Sequence, residues 1–153
     1  MWFGLRKVSS REKLFLSSER VAHFASINPR TLIPHVVPVC FVFDGENLFS
    51  VIGTETARLR NMEGGSSVAL VIDRYVEEND YLKGWGMLIT GKPETISHNK
   101  DRERFMHGWK LLIEKYHEYV KYANADLSPK DPDKILLMMH PTSVVSWGLE
   151  EGD

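Results

Sequence analysis

The stretch Pro34-His35-Val36-Val37-Pro38-Val39-Cys40-Phe41-Val42-Phe43, followed by Asp44-Gly45, decides how this chain is read. It is rich in β-branched and aromatic residues and bounded by turn formers, so it predicts a strand from Pro34 to Phe43. Asp44-Gly45 predicts a hairpin, because both central positions of a type I′ turn need positive φ. Leu48 to Ile52 is the return strand. Pro38 lies inside the first strand. Proline has no N–H to give to a ladder, so this strand is predicted to be a sheet edge or to carry a bulge. A free edge offers backbone groups to a planar heterocycle. An ordinary barrel edge is the plainer reading, and both stand.

Working outward, Ser9 and Glu12 have capping-box spacing and open a short helix containing Leu14, Phe15 and Leu16. A strand is predicted over Val21 to Ile27, then a turn at Asn28-Pro29-Arg30-Thr31. Beyond the hairpin, Thr54 to Met62 predicts a short helix with Thr54 as N-cap, ended by Gly64-Gly65. Val68 to Asp73 is apolar on both faces and predicts a central strand. Residues 75 to 83 are charged and predict an exposed excursion. Trp85 to Ile96 predicts a strand with a bend or bulge at Gly91. Asp101 to Tyr119 predicts a helix, because Phe105, Met106, Trp109, Leu112, Ile113, Tyr116 and Val120 recur at helical spacing. Gly108 within it costs about 1 kcal/mol relative to Ala, which points to close packing there. Asn124 to Asp133 reads as a loop. Ile135 to Met139 and Ser143 to Trp147 are two short strands separated by His140-Pro141. The result is six or seven strands with two or three helices. Short connections favour antiparallel pairing, and a small antiparallel barrel removes most exposed edges.

The length, 153 residues, suits one domain, and hydrophobic (42%) and charged (26%) fractions are those of a globular chain rather than a disordered one. Such a chain buries roughly 70% of its unfolded surface and needs no disulfide or structural metal. The 19 basic and 21 acidic residues leave a net charge of −2, which disfavours a nucleic-acid binder. One cysteine, Cys40, allows neither an intrachain disulfide nor a cysteine zinc site. No apolar run reaches the roughly 20 residues of a membrane span, and the N-terminus has no signal-peptide core. We therefore expect a cytoplasmic chain without a membrane or nucleic-acid partner.

Few motifs carry chemistry. Thr54-Glu55-Thr56-Ala57-Arg58-Leu59-Arg60-Asn61 places two hydroxyls at a helix start and two arginines close behind, which suits a phosphate. A solvated amphipathic helix has the same pattern. The six histidines show no metal-ligand spacing. Cys40, in an apolar strand with no adjacent basic residue, is expected to be a buried, inert thiol. The serine-hydrolase elbow, the P-loop and the dinucleotide fingerprint are all missing.

In order, the helix, Val21-Ala22-His23-Phe24-Ala25-Ser26, Pro34 to Phe41, the Asp44-Gly45 hairpin, Arg58-Leu59-Arg60-Asn61, Val68 to Asp73, the Gly91 strand and Ser146-Trp147 resemble the pyridoxamine 5′-phosphate oxidase-like superfamily of split β-barrels, which bind flavin or deazaflavin. The resemblance implies a mainly β, split antiparallel barrel forming a homodimer, with cofactor sites built from both chains at the interface. It implies that His35, Val36, Val37, Pro38 and Val39 border the ring system, that Thr54, Thr56, Arg58, Arg60 and Asn61 lie near the phosphate, and that Trp147 reaches the partner's site. The implied function is FMN-dependent oxidoreduction of a small molecule, with F420 as an alternative cofactor and a non-catalytic flavin or haem carrier as an alternative role. Two departures stand out. Glu55 occupies a position where many relatives have lysine, and Arg30-Thr31-Leu32-Ile33 makes the turn before Pro34 one residue longer. The extra C-terminal substrate-binding region of true pyridoxamine phosphate oxidases is not expected in this chain.

Overall fold

The computed structural model describes residues 6–53, 56–78, 81–120 and 134–149. Helix α1 (Ser10–Ser18) precedes β1 (Ala22–Ile27), β2 (Pro34–Val39), β3 (Val42–Phe43) and β4 (Leu48–Gly53). Helix α2 (Ala57–Met62) follows, then β5 (Val68–Glu78), β6 (Tyr81–Ser97), α3 (Arg102–Val120) and β7 (Lys134–Trp147). All strand pairings are antiparallel, in one sheet of order β2-β1-β5-β6-β7-β4-β3.

That order curls the sheet. β2 and β3 lie at opposite edges, and a flat seven-stranded sheet would hold its edges about 29 Å apart. Only Cys40 and Phe41 link Val39 to Val42, a span of at most about 11 Å. The sheet must therefore roll until its edges meet, but β2 and β3 do not pair. The result is a split barrel, with β2 exposing one unpaired edge.

The expected strand Pro34 to Phe43 is thus two strands belonging to opposite edges. Only Val42 and Phe43 pair with the return strand, opposite Phe49 and Leu48. Pro38 does sit on an edge, opposite His23 of β1. In the hairpin turn the Asp44 N–H donates to the Asn47 carbonyl at 3.1 Å. Of the turn residues only Gly45 has positive φ, +108°, so the turn is not type I′. Asp44 Oδ1 instead accepts from the N–H groups of Glu46 and Asn47.

Alternation along the strands divides two cores. Leu137 and Met139 point into the barrel with Phe24, Phe41, Leu70, Ile72, Met87 and Ile89. Leu136 and Met138 point outward, where α3 covers them with Phe105, Trp109 and Leu112. Gly108 allows that approach, since a Cβ there would overlap the Phe49 ring. Val68 to Asp73 is central as predicted, between β1 and β6. The capping box of α1 is present. It is tied down by Glu12, almost fully buried, which accepts from Arg6 Nη2 at 2.6 Å and from Ser146 Oγ at 2.6 Å. The Arg6 guanidinium holds the Glu12 carboxyl at a pKa of about 2.

Two further expectations change. Of the exposed excursion expected over 75 to 83, residues 75–77 and 83 are exposed, but 75–78 and 81–83 belong to the β5–β6 ladder, with Tyr75 opposite Gly84 and Val76 opposite Lys83. The two C-terminal strands are one, β7. Its register against β6 shifts at Thr90/Gly91, with Thr142 as the additional residue near Pro141. Gly91, the expected site of a bend or bulge, lies at this shift opposite the bulged β7, and a Cβ there would overlap the His140 carbonyl. The loop expected over Asn124 to Asp133 lies outside the described residues.

Candidate functional site

The unpaired edge of β2 is the natural starting point. Along it burial alternates: Val36 and Pro38 are exposed on the outer side, His35 and Val37 are half-buried, and Val39 is buried. His35 Nδ1 is buried and has no hydrogen-bond partner. Opposite His35 in register is Ser26, itself buried. Asn61, on α2, donates to Ser26 Oγ at 3.1 Å and is equally buried. This bond ties α2 to the strand pair that carries the free edge.

The N-cap of α2 is Thr56 rather than Thr54, which with Glu55 lies outside the described residues. Thr56 Oγ1 accepts from the Leu59 N–H at 3.3 Å and donates to the Gly53 carbonyl at 3.0 Å. Its hydroxyl is therefore already used by the chain. Arg58 and Arg60 are two positions apart, about 200° around a helix, and leave α2 on different sides. Arg58 is half-buried and makes no hydrogen bond or ion pair among the described residues, and burial pushes its pKa down. Arg60 and Asn61 line a cavity of about 540 Å³ together with Asn28, Arg30, Glu63 and Gly64. The structure thus groups His35, Asn61 and the β2 edge, and separates Arg58 from Arg60.

Trp147 packs within its own chain. It lies opposite Gly86 in the β6–β7 register, and a Cβ on Gly86 would overlap its indole. Both belong to the part of the outer face formed by β2, β1, β5 and the adjoining segments of β6 and β7 near Gly86–Leu88 and Val145–Trp147, away from the Ile96, Leu136 and Met138 positions that α3 covers. Across that face run Pro38, His23, Val71, Leu88 and Val145, paired in register. Val36 is 59% exposed and Val145 52% exposed there. His23 Nδ1 stands 3.7 Å from Asp73 Oδ1 on the same side.

Sequence reasoning missed one cluster. Cys40 is exposed, not buried in a strand, because it belongs to the two-residue crossover between the sheet edges. It is also not remote from charge, since Lys115 acts to lower its pKa. Partial burial is the larger effect and raises it. Tyr116 Oη donates to the Phe41 or Arg20 carbonyl, at 2.9 and 2.8 Å, and accepts from the Phe41 N–H at 2.9 Å. Lys115 Nζ lies 3.7 Å from the Phe41 ring centroid and donates to the Leu16 carbonyl at 2.9 Å. Tyr116 was legible as part of the apolar stripe of α3, but not the use of its hydroxyl. Among the described residues no three His, Cys, Asp or Glu side chains gather as a metal site, and no helix is long and apolar enough to cross a membrane.

Comparison with known proteins follows from this geometry. No curated protein sequence matches the chain. Many solved structures share its fold, and three illustrate it. A conserved hypothetical protein of Mycobacterium tuberculosis superimposes with a TM-score of 0.72 at 16% identity, over 98% of this chain and 90% of that one. The haem storage protein HutZ of Vibrio cholerae gives 0.70 at 17% identity, over 95% and 100%. A FAD-binding protein of Mesorhizobium loti gives 0.66 at 15% identity, over 92% and 95%. The sequence profile of the pyridoxamine 5′-phosphate oxidase family matches residues 10–148, and the chain belongs to that family.

Proposed function

We propose that this chain is an FMN-binding oxidoreductase that works as a homodimer, with the flavin held against the free edge of β2. The observation that carries this reading is Arg58: a half-buried guanidinium with no counter-charge among the described residues, which loses solvation unless an anion joins it. A flavin phosphate supplies that anion. The orphaned Nδ1 of His35 fits the same site, because a buried polar atom without a partner is costly and a polar ligand relieves the cost. His35 to Val39 offer backbone groups to the ring, and Asn61 holds α2 in place through Ser26.

When bound, the flavin supplies the hydride or electron transfer. The chain binds and orients it. Arg58 neutralises the phosphate, while the apolar outer face excludes water once a second copy covers it. Exposed Val36 and Val145, on the one sheet face that α3 leaves open, support that second copy. Trp147, packed on Gly86 of its own chain, would enter the partner's site from this face. A small molecule is the expected substrate.

The test is a titration of the purified protein with FMN, followed by the visible flavin spectrum, with F420 as the parallel ligand. FMN is expected to bind at micromolar concentration or better, and Arg58→Ala to weaken binding at least about tenfold, as expected for loss of a charge-assisted contact. Tighter binding of F420 than of FMN transfers the proposal to the deazaflavin. No binding of either overturns it. A second reading, a non-catalytic haem or flavin carrier, draws support from the haem storage protein of the same fold. It predicts a bound chromophore that NAD(P)H and substrate do not turn over.

A further inference from the structure

We propose that the cavity between the β1–β2 loop and α2 is an oxyanion site, for a phosphate or carboxylate, in which Arg30 is a binding residue. The cavity, about 540 Å³, is large enough for such a group and more. Arg30 from the loop and Arg60 from the helix both line it, and Glu63 is the single carboxylate that does. The lining therefore carries one net positive charge. Arg60 is engaged by another group of the chain, but the Arg30 guanidinium makes no hydrogen bond or ion pair among the described residues. Two guanidinium groups around one cavity repel each other, and an oxyanion between them turns that repulsion into charge-assisted hydrogen bonds.

The walls are built, not incidental. Asn28 Oδ1 accepts from the N–H groups of Arg30 at 2.9 Å and Thr31 at 3.1 Å. The Asn28 N–H donates to the Ile33 carbonyl at 3.0 Å, and the Leu32 N–H to the Asn28 carbonyl at 2.9 Å. Across the cavity floor, Gly64 meets Pro29, whose Cβ would lie 3.0 Å from a Cβ at position 64. The loop backbone is thereby fixed against the end of α2. Asn61 lines the cavity and is bonded to Ser26, opposite His35, so the cavity adjoins the Pro34–His35 end of β2. Arg58 leaves the helix on another side, so this oxyanion is distinct from the phosphate assigned to Arg58.

Two sources supply such an anion: a further anionic group on a cofactor longer than FMN, or a separate anionic substrate. Calorimetric titration with inorganic phosphate tests the site without any flavin. The wild type is expected to bind phosphate at millimolar concentration or better. Arg30→Ala should weaken it at least about fivefold with an unchanged melting temperature, and Glu63→Gln should strengthen it. Absence of phosphate binding in the wild type overturns the proposal. So does binding that Arg58→Ala abolishes and Arg30→Ala leaves intact. Titrations with FMN and FAD then identify the source. FAD binding tighter than FMN, by a margin lost in Arg30→Ala, assigns the cavity to the cofactor. Phosphate binding that is equal with and without bound FMN assigns it to a substrate. Because the phosphate titration needs no flavin, failure of the FMN reading leaves it intact.

Discussion

Single side chains make the sharpest predictions because two of them are cations held without a carboxylate partner. Replacing Arg58 with Ala removes a half-buried charge that nothing in the described residues compensates. Thermal unfolding of Arg58→Ala without ligand should therefore show no loss of stability, and a fall of several degrees would mean that the guanidinium has a structural partner. Lys115 behaves differently. Burial, with the charge of Arg20, lowers its pKa from 10.5 to about 8, against the smaller opposing effects of Cys40 and Glu19. Above pH 8 the unfolded chain binds more protons at this site than the folded chain, so stability rises with pH. The window closes near pH 9, where Cys40 begins to titrate in the unfolded chain. The pKa of Cys40, like that of Tyr116 at about 12, is raised by folding and so acts in the opposite direction. Urea midpoints measured from pH 7.5 to 9 should rise in the wild type and stay flatter in Lys115→Met. Neither Lys115 nor the break at Cys40 was legible in the sequence, because each depends on where α3 meets the crossover.

Elements were legible where a local rule and the tertiary environment agree. The Ser9–Glu12 capping box, the edge position of Pro38, the bulge opposite Gly91 and the apolar stripe of α3 all follow from short-range chemistry that the fold does not override. The largest misreading arises because closure of the sheet is not a local property. Pro34 to Phe43 has strand composition throughout, yet rolling the sheet assigns its two ends to opposite edges and turns Cys40-Phe41 into the link. Charge over 75 to 83 signals exposure, but the exposed residues 75–77 and Lys83 still pair in the ladder. Pro141 interrupts β7 only on paper. Pairing with β4 ends at Met139, and the bulge opposite Gly91 takes up the extra residue. Gly108 tests the packing of α3 on β4. Alanine there gains about 1 kcal/mol of helix propensity but overlaps the buried Phe49 ring, and overpacking costs about 1–3 kcal/mol. Gly108→Ala should be net destabilising, by up to about 2 kcal/mol, in urea unfolding. A stabilised variant would show that α3 stands farther from the sheet.

At the scale of the whole molecule, the chain presents one covered and one uncovered sheet face. α3 seals the outer side of β4, of the Leu136–Met138 half of β7 and of β6 at Ile96, and the outer side of β2, β1, β5 and the Gly86–Leu88 and Val145–Trp147 segments of β6 and β7 stays open, with Val36 and Val145 exposed on it. The candidate site lies along the β2 border of that open face, so the proposed function links its completion to the association of two chains. This link was implied by family resemblance rather than by any residue pattern, because an apolar outer face and a buried strand face look alike in a linear sequence. A charge placed at the centre of the open face should break both properties together, while leaving the barrel core untouched. The most direct measurement is size-exclusion chromatography with light scattering and visible absorbance, on wild type and Val145→Asp after incubation with FMN. The account predicts a wild-type mass about twice 17.6 kDa with one FMN for each chain, and a monomeric Val145→Asp that elutes without flavin. A wild-type monomer that retains FMN, or a dimer that carries neither FMN nor F420, would contradict it.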